Sequence, residues 1–213
     1  EDIFVTTGNA YDVQDADAAS RISRGSYRNW KEAQETILTY PSLKLKNRFY
    51  KNNGDLTFTD KTKDWGIDSR DISNGAATAD LDNDGDLDII LNRLNEEAVI
   101  YRNEVSKPRI AVRLNGENKN LQAVGSRIIL QNGKRKQRRE IGSGGGYLSG
   151  SDPLAVFSAD LDDTYQLTVK WSDGSKSSYS EIRANHIYEL TKPAKSNPIK
   201  PDDSKRNERP LFS

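Results

Sequence analysis

Residues 80 to 88 read Asp80-Leu81-Asp82-Asn83-Asp84-Gly85-Asp86-Leu87-Asp88, an acid at every second position with glycine at the sixth. A loop with acids on alternate residues wraps its oxygens around one point, and Gly85 permits the turn that closes it. Without a cation, five carboxylates in nine residues repel one another by about 1 kcal/mol per near pair even in water. Ca²⁺ answers that charge, since it takes roughly six to eight oxygen ligands in flexible geometry; Mg²⁺ prefers a compact octahedral shell and keeps its waters. Asp80, Asp82, Asp84 and Asp88 are the expected side-chain ligands. Asp86 is expected to offer its backbone carbonyl, by analogy with the seventh position of an EF-hand loop. The segment is not an EF-hand: position 12 is Leu91 where a Glu is required, and the strand Ile89-Ile90-Leu91 follows where a helix belongs. The loop therefore bridges two strands, and the surrounding fold is expected to be β. No His stands beside it, so a structural ion pinning the loop is favoured over a catalytic or ligand-bridging one.

A weak repeat flanks this loop. Asp2-Ile3-Phe4-Val5 matches Asp88-Ile89-Ile90-Leu91, and Phe49-Tyr50-Lys51-Asn52 matches Ile100-Tyr101-Arg102-Asn103. An aspartate leads into an apolar strand, and a second strand ends in Asn. Repeats of short strands are a mark of propellers. The first copy carries an insertion, about residues 9–46. Tyr27, Trp30, Ile37 and Leu38 recur there at helical spacing, Ser26 can cap the start and Pro41 ends it, so a helical excursion packed on a sheet edge is expected.

From about residue 107 the pattern turns to strands. Ile110, Val112 and Leu114 alternate with Ala111 and Arg113, and Tyr165, Leu167, Val169 and Trp171 alternate with polar residues. Asn132-Gly133 and Asp173-Gly174 are tight-turn dipeptides. A small all-β sandwich or barrel is expected. Lys134-Arg135-Lys136-Gln137-Arg138-Arg139 reads as a solvent-facing edge or hairpin, and Gly142 to Gly146 as a corner between strands. His186, the only histidine, is expected to be structural. From Lys192 onward Pro193, Pro198, Pro201 and Pro210 lie among polar residues, which reads as an extended linker. The expected division is thus a propeller segment over 1–105, a β domain over 106–192 and a linker over 193–213.

Composition excludes several function classes. Lys+Arg and Asp+Glu both number 32 in 213 residues, so no global field draws the chain to nucleic acid or an acidic membrane. Cysteine is absent, which removes disulfides, thiolate metal sites and cysteine nucleophiles. No apolar run approaches the ~20 residues of a transmembrane helix. The glycine stretch fits no phosphate-binding loop, and there is no G-x-S-x-G elbow and no Asn-x-Ser/Thr acceptor.

Asn74-Gly75-Ala76-Ala77-Thr78-Ala79, the Asp loop and Ile100 to Asn103 resemble an FG-GAP/VCBS repeat, one blade of a β-propeller as in integrin α-chains. Residues 47–66 resemble the end of a preceding repeat. Gly125-Ser126-Arg127-Ile128, Gly144-Gly145-Gly146-Tyr147-Leu148-Ser149, Val169-Lys170-Trp171-Ser172-Asp173-Gly174 and Asn185 are similar to the ASPIC/UnbV domain. Phe157-Ser158-Ala159-Asp160-Leu161 departs from the family's Phe-Gly-Leu-Gly, and His186 stands where Gln is usual. The combination resembles cartilage acidic protein-like proteins and implies an exported, calcium-binding interaction protein, extracellular or at a bacterial cell surface or periplasm. The resemblance also makes Asp2 the last ligand of a loop preceding residue 1, and Pro210-Leu211-Phe212-Ser213 the lead-in to another repeat. The chain is then expected to be part of a larger protein.

Two functions from different classes follow. The first is a non-enzymatic calcium-binding module that contacts a protein or glycan. The second is a polysaccharide-acting enzyme or an accessory subunit of an outer-membrane glycan-uptake assembly; for an enzyme, no carboxylate pair stands out among 32 acids.

Overall fold

The computed structural model describes residues 1–24, 29–43, 45–133, 135–194 and 206–210. The chain is mainly β and divides into two compact units. One comprises Glu1–Ala76 with Leu91–Val99, the other Ala77–Ile90 with Ile100–Ser213.

In the first unit, β1 (Ile3–Val5), β2 (Arg48–Asn52) and β3 (Phe58–Asp60) form an antiparallel sheet in the order β1-β2-β3, with Phe4 opposite Phe49 and Tyr50 opposite Asp60. Aromatic contacts support it: the Phe49 ring lies 5.9 Å from Phe4 and 4.5 Å, edge-on, from Trp65. A second three-stranded sheet has the order β4-β5-β6, built from β4 (Ser73–Ala79), β5 (Asp88–Arg93) and β6 (Val99–Tyr101). The repeat seen in the sequence is a structural equivalence. Asp2 Oδ1 accepts the Asn52 amide at 2.8 Å, and Asp88 Oδ1 accepts the Asn103 amide at 2.9 Å. In both copies the leading aspartate ties down the end of the neighbouring strand.

The insertion between β1 and β2 holds two short helices, α1 (Ala16–Ser23) and α2 (Trp30–Ile37). Asp15 caps α1 by accepting the Ala18 amide at 2.7 Å, and Asn29 caps α2 by accepting the Glu32 amide at 3.0 Å. The expected cap Ser26 and the expected apolar residue Tyr27 lie outside the described residues. The side chain of Ile37 likewise lies outside the described residues; Trp30 and Leu38 are exposed, and among the described side chains of the helices Ala18 is buried.

The second unit is built on β7 (Arg109–Asn115), β8 (Arg127–Gln131), β9 (Lys136–Glu140), β10 (Ala155–Ser158), β11 (Thr164–Lys170), β12 (Lys176–Arg183), β13 (His186–Thr191) and β14 (Arg206–Pro210). They form two sheets, β10-β7-β13-β14 and β12-β11-β8-β9. One core joins the inward faces: Ile110, Val112, Leu114, Phe157, Tyr188 and Leu190 from the first sheet meet Ile128, Leu130, Leu167, Val169 and Ile182 from the second. Each sheet keeps open edges, so the domain is a sandwich and not a closed barrel. Both tight turns fall between paired strands, with Gly133 at φ 84° and Gly174 at φ 86°. The basic run lies on β9, at the edge of its sheet; Lys134 is outside the described residues. Where composition suggests a linker, Arg206–Pro210 add a strand to β13. Strand addition needs only free backbone groups on a neighbour, so a polar segment can do it.

Two of the family-like motifs meet inside this unit. Ser126, fully buried, accepts the Ser172 amide on Oγ at 3.2 Å, and Asn185 exchanges hydrogen bonds with the backbone of Arg109. His186 Nδ1 lies 2.8 Å from the Ala184 carbonyl, a local structural contact.

Candidate metal centre

The Asp loop connects β4 to β5, within the second unit. Its curvature is made by its own carboxylates. Asp80 accepts the amides of Asp84 at 3.1 Å and Gly85 at 3.0 Å, and Asp84 accepts the Asp86 amide at 3.0 Å. Asn83 and Gly85 take left-handed backbone at φ 62° and 85°, a conformation that Asn and Gly adopt with least strain.

This winding brings Asp80, Asp82 and Asp84 together: one carboxylate oxygen from each lies within 4.8 Å of the others. The remaining two acids sit differently. Asp88 is buried, and its oxygens accept the amides of Leu81 at 3.1 Å and Asn103 at 2.9 Å, closing the loop at its base. Asp86 is 5% exposed, and its Oδ2 accepts no hydrogen bond but faces Arg109 Nη2 at 3.3 Å. Burial pushes the Asp86 carboxyl up to about 7; the Arg109 charge opposes this, and Asp84, Asp88 and Asp82 reinforce it by repulsion. Burial also raises the Asp80 carboxyl, against the hydrogen bonds from Gly85 and Asp84. Arg102 Nε reaches Asp82 at 2.8 Å.

Three ionised oxygens at this separation repel by about 1 kcal/mol per pair in water and about 3–4 kcal/mol at the effective dielectric of a protein surface. The donors are all hard oxygens, which suits Ca²⁺ and excludes thiophilic ions. The trio therefore fits a divalent cation.

Sequence reasoning missed Arg109. It stands at the head of an apolar strand and is only 5% exposed, but nothing in its spacing from the Asp loop announces that they meet. Also missed was a buried polar hub in the first unit. Asn47 Nδ2 donates to Asp71 Oδ1 at 3.0 Å and to Ser73 Oγ at 3.1 Å, and its Oδ1 accepts the Thr7 amide at 3.1 Å. Ser73 and Ser69 hydroxyls also donate to Asp71, and Arg93 lies 3.7 Å from it.

Residues 116–197 match the family model ASPIC and UnbV, and residues 34–91 match that of the FG-GAP-like repeat. The second match ends at Leu91 and contains the Asp loop. No curated protein matches the chain.

Proposed function

We propose that this chain, which joins an FG-GAP-like repeat to an ASPIC/UnbV domain, is a calcium-binding, non-enzymatic interaction module of the extracellular or cell-surface space. The observation that carries it is the convergence of Asp80, Asp82 and Asp84 in an oxygen-only loop closed by Asp88. The pairing of these two domain types supports an extracellular-type interaction module, and among the described residues no helix is long and apolar enough to cross a membrane. When bound, Ca²⁺ supplies charge neutralisation and rigidity. The chain's own part is to aim the carboxylates, through Asn83 and Gly85 at the turn and Asp88 at the base. The partner is a protein or glycan, free or held in an outer-membrane assembly. A small cavity beside Trp171, about 60 Å³, is lined by Glu117 and Lys192, which pair with each other.

Isothermal calorimetry of the chelator-stripped chain tests the metal. One Ca²⁺ should bind per loop, and Asp82→Asn should weaken it at least tenfold; no heat in the wild type overturns the metal reading. A glycan array with a reducing-sugar release assay, and co-purification with envelope proteins, test the role. Capture of a glycan or protein without turnover supports it. Turnover abolished by one carboxylate substitution would establish an enzyme instead.

A further inference from the structure

Arg109 opens β7, a central strand of the sandwich, and its backbone is fixed by Asn185, the residue that leads into β13. The Asn185 amide donates to the Arg109 carbonyl at 2.6 Å, and the Arg109 amide donates to Asn185 Oδ1 at 3.4 Å. The guanidinium is almost wholly buried. Nη1 donates to the Val105 carbonyl at 2.6 Å. Nη2 donates to the Asp84 carbonyl at 2.8 Å and meets the Asp84 and Asp86 carboxylates at 3.1 and 3.3 Å. Asp84 therefore faces two ways, one carboxylate serving both the acidic trio and the arginine. Three residues along, Leu87 packs against Ala111, Leu154 and Ile187 on the outer face of the β10-β7-β13 sheet. One charge and one apolar side chain thus seat the loop on the sandwich.

Neither half of this contact is stable alone. A buried guanidinium without its carboxylates, or a buried Asp86 without its guanidinium, carries an uncompensated desolvation penalty. The geometry that gathers Asp80, Asp82 and Asp84 is also the geometry in which Asp84, Asp86 and Leu87 are docked. Two processes that require one conformation are linked, and the linkage is reciprocal. We infer that ion occupancy of the Asp loop is coupled to the stability of the ASPIC/UnbV sandwich, with Arg109 as the positioning residue that carries the coupling. This rests on the metal reading above and adds to it: the ion works as a clasp for the neighbouring domain as well as a pin for its own loop.

Trp171 reports on the sandwich, since it is 3% exposed in that core and its Nε1 donates to Ser177 Oγ. The chain has three tryptophans, so Trp30→Phe with Trp65→Phe leaves it as the sole emitter. Its thermal transition would be followed in chelator and in Ca²⁺ at a hundredfold excess over Kd, with calorimetry on the same samples. The midpoint should rise by roughly 5–10 °C with Ca²⁺. In the Arg109→Gln background, calorimetry should still detect Ca²⁺ while the rise shrinks to less than half. If Arg109→Gln fails to fold, Leu87→Ala takes its place with the same expectation. Ca²⁺ heat without movement of the Trp171 transition overturns the coupling and leaves the metal reading standing. An undiminished rise in the substituted chain removes the docking residues from the explanation. Absence of any Ca²⁺ heat overturns the metal reading, and the coupling with it.

Discussion

Asn47→Asp replaces a neutral donor by a carboxylate at the centre of a buried hub. Asn47 is fully buried, Asp71 is 1% exposed, and the nitrogen to be replaced lies 3.0 Å from Asp71 Oδ1. Two ionised oxygens at that separation would repel by roughly 5 kcal/mol at an effective dielectric of 20. The penalty is capped because the new carboxyl can take up a proton instead. Holding an ordinary Asp protonated costs about 4 kcal/mol at pH 7 and about 1.5 kcal/mol at pH 5, from its reference pKa near 3.9 and 1.36 kcal/mol per unit. The variant should therefore be about 4 kcal/mol less stable than wild type at pH 7 and recover about 2.5 kcal/mol at pH 5. Asn47→Ala is the control. It strands the Thr7 amide and withdraws one donor each from Asp71 and Ser73, which costs about 3 kcal/mol with no new titrating group. Urea unfolding of each variant against wild type, at both pH values, separates the two. If the Asn47→Asp deficit is the same at pH 5 as at pH 7, or Asn47→Ala matches wild type within about 0.5 kcal/mol, the hub does not hold its charge as argued.

Leu167→Ala empties a fully buried position between the two sheets and should cost about 2–5 kcal/mol, read as a lower urea midpoint at unchanged slope. Gly85→Ala forces a Cβ onto backbone at φ 85° and should destabilise the chelated chain by about 1–2 kcal/mol in a thermal melt, and weaken Ca²⁺ binding in calorimetry. Asp173 is held below the ordinary carboxylate range, first by its hydrogen bond from Lys192 and then by those from Ser175. A lowered acid contributes stability that is fully present above about pH 4 and fades as pH falls toward the folded value. Asp173→Asn should therefore flatten part of the loss of stability between pH 4 and pH 2; an unaltered acid limb counts against the Lys192 contact.

Local chemistry was legible in the sequence, and long-range polar contact was not. Asp80 to Asp88 carry their geometry in their spacing, because the acids bond amides within the same nine residues. Asn132-Gly133 and Asp173-Gly174 state their turns directly, and the alternation from Tyr165 to Val169 states which side of β11 is buried. By contrast Asn47, Asp71 and Ser73 look like surface polar residues until strands from distant parts of the chain close over them. Arg109 is equally silent, since its partners lie 23 and 25 positions away in a loop with ample charge of its own. The helical character of the insertion was legible in the spacing of its apolar residues, but not its cap: α2 is started by Asn29, and Trp30 and Leu38 face solvent. The strand Arg206–Pro210 depends on a free edge at β13, which no local pattern encodes.

The parallel pairing of β7 with β13 has a mechanical consequence. The sandwich's first and last core strands lie side by side and run the same way, in register from Ile110 beside His186 to Asn115 beside Thr191. Chain comes in at one end of this pair and continues from the opposite end. Tension drawn through residues 108 and 192 would therefore slide the two strands lengthwise, straining their ladder of hydrogen bonds together instead of peeling them one after another. A pull applied beyond Pro210 meets a different geometry, because Arg206–Pro210 return antiparallel along β13 to end beside His186, and would unzip that outer strand before loading the β7–β13 ladder.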